Sequence, residues 1–263
     1  MTTEITNPLF SEETIEIPLA NAPLARVLAQ VRFPEIQSIQ EKSFVAPFQE
    51  RIRKRYPRTA TDTLNGFVIG TPQLVTTNIW RYLSGDAWRV SLSDSFMSLE
   101  TTKYTSRKDF CERFLFLLEQ LAEEIAPTHI DRVGIRYIDQ VELAEDESMS
   151  GMLRQEMIGV KDVFGKAHHM ISELEAPSRE GGVLVRWGHM PASASHDPDI
   201  MSPIPKPSWF LDVDSYMAHE SAMVAFDAKA AAEATYSLAT RAYTIFRWSV
   251  TDRFLDKYGR ITK

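Results

Sequence analysis

The predicted fold depends on Asp131-Arg132-Val133-Gly134-Ile135-Arg136-Tyr137-Ile138-Asp139-Gln140, a stretch at the middle of the chain. Its pattern is typical of a β-strand, in which successive side chains point to opposite faces of a sheet. An earlier stretch, Ala29-Gln30-Val31-Arg32-Phe33, echoes Val133-Gly134-Ile135-Arg136-Tyr137. The echo predicts two halves of the chain built on one plan.

The first half of the chain predicts strands and helices in the order β-α-β-β-β-α. Phe44, Phe48, Ile52 and Tyr56 recur every four residues, which indicates the apolar stripe of a helix that Pro57 ends. A capping pattern at Ser106 precedes a second amphipathic helix. The predicted ranges are a strand over 24–33, a helix over about 43–56, a loop over 58–72, strands over 74–83, 88–93 and 96–104, and a helix over 106–125.

The second half repeats that order. The predicted ranges are a strand over 131–143, a short helix over 149–158, strands over about 166–176, 182–190 and 209–216, and a helix over about 223–258. Residues 191–207 between the last two strands hold five prolines. Long loops of this kind are often functional or simply mobile.

Together these elements predict an α+β fold. We expect a curved, mostly antiparallel sheet with long helices on one face, an arrangement shared by the TATA-binding saddle and the helix-grip folds. The likeness to those folds carries no function. Residues 1–20 are expected to form a tail or edge segment, and 21–263 a single domain made of two similar halves, about 21–128 and 129–260.

Composition narrows the class of protein. The chain has 263 residues and a formal net charge of −7, which argues against general affinity for nucleic acid. Cys111 is the single cysteine, so no internal disulfide can form, and this fits a reducing compartment. The sequence shows no signal-peptide pattern and no apolar run long enough for a membrane span. A cytoplasmic location, with no membrane partner, is therefore expected.

Several stretches resemble a sporadically distributed group of bacterial proteins of about this length and of uncharacterised activity. The matching stretches are Asn21-Ala22-Pro23-Leu24, Val31-Arg32-Phe33-Pro34, Phe48-Gln49, Ile52-Arg53, Tyr56-Pro57, Val90-Ser91-Leu92, Leu99-Glu100-Thr101, Tyr104, Gly134-Ile135-Arg136-Tyr137-Ile138 and Leu211-Asp212-Val213-Asp214. The resemblance spans most of the chain and is weakest over 145–205. It implies no catalytic residue. The patchy distribution of the group implies, by association, a role near mobile elements or defence genes.

Charged residues on the predicted strands suggest a binding face. Strand alternation places a set of arginines on the side of the sheet away from the helices, where they could bind an anion or phosphate. The alternative is ordinary pairing with carboxylates across neighbouring strands. The candidate residues for ligand or partner binding are Arg26, Arg32, Arg89, Arg132, Arg136, Arg186, Asp212 and Asp214.

The sequence patterns for a metal site or for acid–base catalysis are weaker than the pattern for a binding face. Asp212 and Asp214 lie two apart on one strand, so they share a face and could bind Mg²⁺ or act as acid and base, although salt bridges to the arginines are the ordinary alternative. The candidate histidines have no zinc-ligand spacing, and His196 with Asp197 is expected in a solvated loop. These histidines are His168, His169, His189, His196 and His219. Cys111 is expected to be buried and inert.

The sequence therefore favours a non-enzymatic protein with no cofactor and no metal. It would engage a partner protein or a small anionic ligand through the sheet face or through the loop 191–207. A metal-dependent hydrolase or nuclease-like accessory using Asp212 and Asp214 is one alternative. Nucleic-acid binding through the saddle is a second, disfavoured because the aromatic residues and the arginines are expected on opposite faces. The oligomeric state stays open.

Overall fold

The structure is a computed structural model that describes residues 7–67, 74–85, 87–144, 147–160, 169–219 and 223–261. His168, one of the candidate histidines, lies outside these ranges, as do residues 68–72 of the predicted loop and 166–168 of the predicted strand. Contacts between Cα atoms divide the chain into two compact units. Unit 1 comprises Met1–Val27, Arg136–Tyr216 and Ser237–Lys263, and unit 2 comprises Leu28–Ile135 and Met217–Tyr236. The prediction of two similar halves concerns a relation in sequence and stays a prediction.

The strands confirm the α+β fold with a large, mostly antiparallel sheet. Among the described residues the sheet has nine strands in the order β2-β3-β4-β5-β1-β7-β10-β9-β8, and β6 and β11 form a separate pair. The strands are β1 (Leu24–Arg32), β2 (Arg58–Phe67), β3 (Leu74–Ser84), β4 (Trp88–Leu92), β5 (Phe96–Thr101), β6 (His129–Ile130), β7 (Arg132–Glu142), β8 (Met170–Pro177), β9 (Gly182–Met190), β10 (Ser208–Ala218) and β11 (Val224–Ala225).

The described helices include both helices predicted in the first half, although the first of them ends at Ile52 rather than at about residue 56. The helices are α1 (Lys42–Ile52), α2 (Arg107–Glu124), α3 (Gln155–Ile158), α4 (Ala228–Ser249) and α5 (Asp252–Lys257). The capping pattern before α2 is confirmed, because the backbone N–H of Asp109 donates to Ser106 Oγ at 3.1 Å. No helix among the described residues is long and apolar enough to cross a membrane.

Unit 2 buries the apolar faces of α1 and α2 against its strands. Phe48 of α1 meets Tyr82 of β3 edge to face, with 5.8 Å between ring centroids. Phe110 of α2 stacks on Trp88 of β4 at 5.9 Å. Cys111 lies beside Phe110 and is buried, as expected, and burial raises its pKa to about 11. The thiol is therefore kept protonated at neutral pH.

Unit 1 has a core of its own on one side of β7, β9 and β10. Trp209 and Val213 of β10 pack there with Val141 of β7 and with Phe254 of α5. The segment 7–20 joins this core, since Leu9, Ile17 and Leu19 pack against it. Backbone hydrogen bonds hold the segment as well, from Ala20 N to Gly259 O and from Arg179 N to Leu9 O.

The predicted loop over 58–72 was wrong in its described part. Residues 58–67, predicted as loop, form β2, which pairs antiparallel with β3 from Arg58↔Leu83 onward. The alternating threonines of this stretch, Thr59, Thr61 and Thr63, suit a pleated strand.

The predicted helix over 223–258 is interrupted. β11 lies within its first residues, and α4 and α5 are separate helices. The break between α4 and α5 coincides with contacts to the distant segment 151–153. Thr251 Oγ1 donates to Gly151 O at 2.8 Å, and Val250 forms an isolated β-bridge with Leu153, which draws the backbone out of the helix. The short helix predicted over 149–158 is reduced to α3.

Candidate functional site

An ion pair between β7 and β10 is the centre of the candidate site in unit 1. Arg136 donates from Nε to Asp212 Oδ1 at 2.7 Å and from Nη2 to Asp212 Oδ2 at 2.6 Å. This fork-to-fork geometry is the strongest form of an arginine–carboxylate pair. The Asp212 side chain is 1% exposed and that of Arg136 is 13% exposed. Two of the predicted site residues therefore meet, as a buried pair.

The proline-rich loop supplies two more members of the cluster. We call residues 191–207 the strap. His196 Nε2 lies 3.1 Å from Asp212 Oδ2, and Arg136 Nη2 donates to Asp197 Oδ2 at 3.1 Å. The imidazole of His196 also stacks on the ring of Phe210, with centroids 4.3 Å apart and planes 12° from parallel. His196 was expected in solvent, and its side chain is 6% exposed.

Apolar contacts fix the strap next to this polar cluster. Met201 is fully buried and packs with Ile138, Met190 and Phe210. Ile200 packs against the same group. Burying a methionine side chain contributes roughly 1.5–3 kcal/mol. The strap is therefore held by one apolar anchor and one ionic anchor, a few residues apart in sequence.

The electrostatics of the cluster favour its charged form. Burial alone would raise the pKa of Asp212, but hydrogen bonds from Arg136 and His196 outweigh it, and the pKa is lowered. Burial opposes the charge on Arg136 too, yet the carboxylates of Asp212 and Asp197 raise its pKa above the ordinary value. The pair stays ionised because each charge is matched.

Other predicted site residues of unit 1 lie around this pair. Arg186 of β9 is opposite Asp212 in the ladder, but its closer partner is Glu173 of β8, at 2.5 Å against 3.9 Å to Asp212. Arg26 Nη1 donates to the backbone oxygen of Asp199 at 3.5 Å, the long limit of a hydrogen bond. Asp214 follows on the same face of β10 and is half-buried.

The remaining predicted arginines lie in unit 2 and do not form one site. Arg89 pairs with Glu100 across β4 and β5 at 2.7 Å. The guanidinium of Arg132 lies over Gly134, where a Cβ atom would be 2.7 Å from its Nη1, so the glycine gives the arginine room. Arg32 is exposed, and the described part of the chain offers its side chain no ion pair. The predicted face is thus largely a set of internal pairs.

These contacts limit the chemistry that the cluster can perform. Both oxygens of Asp212 take part in hydrogen bonds, and the carboxylate is buried, so most of its acceptor capacity is already used by Arg136 and His196. The described residues contain no group of three or more His, Cys, Asp or Glu side chains suited to a metal. His196 Nδ1 is buried, and the described residues give it no hydrogen-bond partner. The cluster binds the strap to the sheet through Arg136, Asp212, His196 and Asp197.

Two further buried charges escaped the sequence reasoning. Arg241 of α4 is 1% exposed and holds the carboxylate of Glu180 with Nε at 2.6 Å and Nη2 at 2.8 Å. The same guanidinium donates to the backbone oxygens of Pro8 and Ser11. The sequence indicates this burial, because Arg241 lies three residues after Leu238 and four before Ile245 on the same helix face, and both of these residues are buried. An arginine on a buried stripe requires a partner.

Asp139 of β7 is the second buried ionisable residue that the sequence analysis did not identify as a site residue. It is 6% exposed, and burial raises its pKa to about 7. The described residues give its carboxyl no hydrogen bond or ion pair. Strand alternation could have found it, because Asp139 shares the buried side of β7 with Val141.

Comparisons with known proteins add no family to this description. No protein-family model matches the chain, and a search of curated proteins gives no match. A function must therefore be argued from the side chains and the surfaces of the two units.

Proposed function

We propose that this chain is a non-enzymatic binding protein that engages a partner protein through the strap of unit 1. The observation that carries the proposal is the asymmetry of the strap. Its inner side is fixed by His196, Asp197 and Met201, whereas all of its prolines are exposed. Loops held by a rigid scaffold are the usual carriers of binding function.

A partner protein is favoured over a small anionic ligand at this surface. An anion would need unpaired arginines, and here Arg136 is matched by Asp212 and Asp197 while Arg186 is matched by Glu173. A ligand would have to break these pairs and leave a buried carboxylate alone, at a cost of several kcal/mol. The outer side of the strap needs no such rearrangement.

Site-specific photo-crosslinking tests this function in the full-length chain. A photo-reactive residue in place of Ala192, exposed on the strap, should capture a specific protein in a lysate of the host cells. The matched control carries the same residue in place of Lys108 of α2 in unit 2, which is also exposed. A protein captured at both positions, or at neither, would contradict the proposal.

The expected setting is the bacterial cytoplasm. The motivation is the single cysteine together with the resemblance to a bacterial group. Fractionation of the host cells, with detection of the native chain, should place it in the soluble cytoplasmic fraction. Recovery from the membrane or the periplasm would overturn this part of the proposal.

A further inference from the structure

We propose that β8 of unit 1 pairs with β8 of a second copy of this chain, in antiparallel fashion, about a two-fold axis at Ser172. The inference is independent of the strap, which is held by Arg136 of β7 and Asp212 of β10. It is carried by the position of β8 at the edge of the sheet, by the apolar residues exposed there, and by the charges along the strand.

β8 (Met170–Pro177) is an edge strand among the described residues. It lies at one end of the strand order and pairs antiparallel with β9 on one side only. An edge strand presents backbone N–H and C=O groups that no neighbouring strand satisfies, and this row of groups is a template for a further strand. The addition of a strand at such an edge is a recurring mode of association between proteins.

Apolar side chains are exposed on both faces of β8. Ile171 is 47% exposed and Leu174 is 45% exposed. Leu174 is opposite Val185 in the ladder with β9, and Val185 belongs to the core of unit 1. The apolar layer of this core therefore reaches the edge of the sheet, where Leu174 leaves part of it in contact with water. A strand paired with β8 would cover this part.

The charges that usually protect an edge strand are bound within the sheet. Exposed charged side chains discourage the pairing of an edge with another strand. On β8, Glu173 pairs with Arg186 of β9 at 2.5 Å, and Glu175 accepts a hydrogen bond from Tyr216 Oη of β10 at 2.6 Å. Both carboxylates are thus drawn away from the edge, because β9 and β10 lie on the inner side of β8. They oppose a neighbouring strand less than free glutamates would.

The sequence of β8 selects one register for this pairing. Residues that face each other across antiparallel strands share a face of the sheet, so a two-fold axis passes through one residue of the strand. An axis at Glu173 places two copies of Glu173 opposite each other, and an axis at Leu174 places Glu173 opposite Glu175. Like charges in such positions are destabilising. An axis at Ile171 places Leu174 opposite a residue before β8, whereas an axis at Ser172 avoids all three faults.

The register centred on Ser172 brings complementary residues together. Met170 faces Leu174 on each side of the axis, so two apolar contacts cover the exposed edge. His169 is exposed and faces Glu175, and an imidazole N–H can donate to a carboxylate. Ser172 faces its own copy, where two small side chains meet. The same surface is used by both copies, so the contact closes with two chains.

The ordinary alternative is that the edge stays single and the chain is a monomer. β8 has only eight residues and ends at Pro177. A short strand and a proline are both devices by which natural proteins keep an edge unpaired. The two explanations differ in the mass of the purified chain.

Light scattering after size-exclusion chromatography measures this mass for the full-length chain. At micromolar concentration we expect about twice the 30.0 kDa of a single chain. Leu174→Lys should raise the dissociation constant of the dimer by about tenfold or more, because it removes both apolar contacts beside the axis. Met223→Lys is the matched control, since Met223 is 81% exposed in unit 2 and the substitution adds the same charge there without effect on the mass.

Disulfide trapping tests the register independently of the affinity. Facing residues of antiparallel strands have Cα atoms about 4.5–5.5 Å apart, within the range that a disulfide spans. Ser172→Cys should therefore give a covalent dimer on a non-reducing gel after treatment with diamide. Leu174→Cys is the matched control, because Leu174 faces Met170 in this register and lies far from its own copy. Cys111 is buried, so the wild-type chain should stay uncrosslinked.

Each outcome decides the proposal. The mass of a single chain at micromolar concentration overturns it. A dimer that Leu174→Lys leaves intact, or that Ser172→Cys fails to trap, is joined through another surface and overturns it as well. Open assemblies larger than two chains exclude closure about a two-fold axis. All of these measurements use the purified chain alone, so the function proposed for the strap stands or falls separately, by the capture at Ala192.

Discussion

Arg32 and Arg136 occupy equivalent positions in the echoed stretches Val31-Arg32-Phe33 and Ile135-Arg136-Tyr137, yet their surroundings differ. Arg136, in unit 1, is buried in a bidentate pair with Asp212 and is covered by the strap. Arg32, in unit 2, is exposed. The same local sequence thus yields a structural charge in one unit and a solvated charge in the other. The difference is made by distant residues that meet only one of the two arginines.

The comparison predicts its largest effect at Arg136. Arg136→Ala would leave the carboxylate of Asp212 buried without its main partner, and breaking a buried pair from one side costs about 3–5 kcal/mol. Arg32→Ala, the matched control, should change the free energy of unfolding by less than about 0.5 kcal/mol. Urea denaturation of both variants measures the difference. Equal losses would mean that the burial of Arg136 does not decide its role.

Asp139 is a buried carboxyl group to which the described residues give no ion pair. Its ionisation should therefore destabilise the fold, whereas the charge of Arg136 is matched and stabilises it. Asp139 keeps its proton in the folded state up to about pH 7, whereas in the unfolded chain it loses the proton near pH 4. The folded state binds more protons between these values, so the contribution of Asp139 to stability falls as the pH rises from about 4 to about 7. Three pKa units correspond to about 4 kcal/mol.

Asp139→Asn tests this by removing the titration. The variant should be more stable than the wild type at pH 8, by up to about 4 kcal/mol, and similar to it at pH 4, where both side chains are neutral. Denaturant unfolding at the two pH values measures the change. A wild-type chain as stable at pH 8 as the variant would show that Asp139 has an unrecognised partner.

The fold could be predicted because its signals are local. The alternation in β7 and the apolar stripe of α2 each lie within a single element, and both elements were predicted from these patterns. The cluster could not be predicted, because Arg136 meets Asp197 and Asp212 across 61 and 76 residues of chain. Strand alternation identifies the face of a side chain, but the partner depends on strand order and on where the strap lies.

The misread elements have the same origin. β2 is defined by its hydrogen-bonded pairing with β3, and the threonines of the stretch alone do not predict that pairing. His196 looked solvated since it lies among prolines, and its burial follows from the stacking on Phe210 and from the contact with Asp212. Asp139 and Arg241 are different, because strand alternation and helix spacing alone place both on buried faces.

Arg241 of α4 is a second buried, paired arginine, and it extends the comparison of buried and exposed arginines from a strand to a helix. Arg241→Lys keeps the charge but cannot hold Glu180 in a fork while donating to Pro8 and Ser11, so two or three hydrogen bonds are lost, at about 1 kcal/mol each. We expect a loss of about 2–3 kcal/mol. Segment 7–20 should also become more accessible to protease, which mass spectrometry of limited digests measures. The exposed Arg53→Lys is the control.

The smallest effect is expected at Arg89, the paired arginine of unit 2. Its pair with Glu100 has a distance of 2.7 Å, close to those at Arg136, but its side chain is 34% exposed against 13%. Water can reach the more exposed guanidinium, although Glu100 is only 11% exposed, so Arg89→Ala should cost about 1–2 kcal/mol, less than Arg136→Ala. Raising the salt concentration should shrink this difference further, whereas the loss in Arg136→Ala should persist because buried charges are poorly screened. A loss at Arg89 as large and as insensitive to salt as that at Arg136 would mean that pairing geometry, rather than burial, separates structural from solvated arginines in this protein.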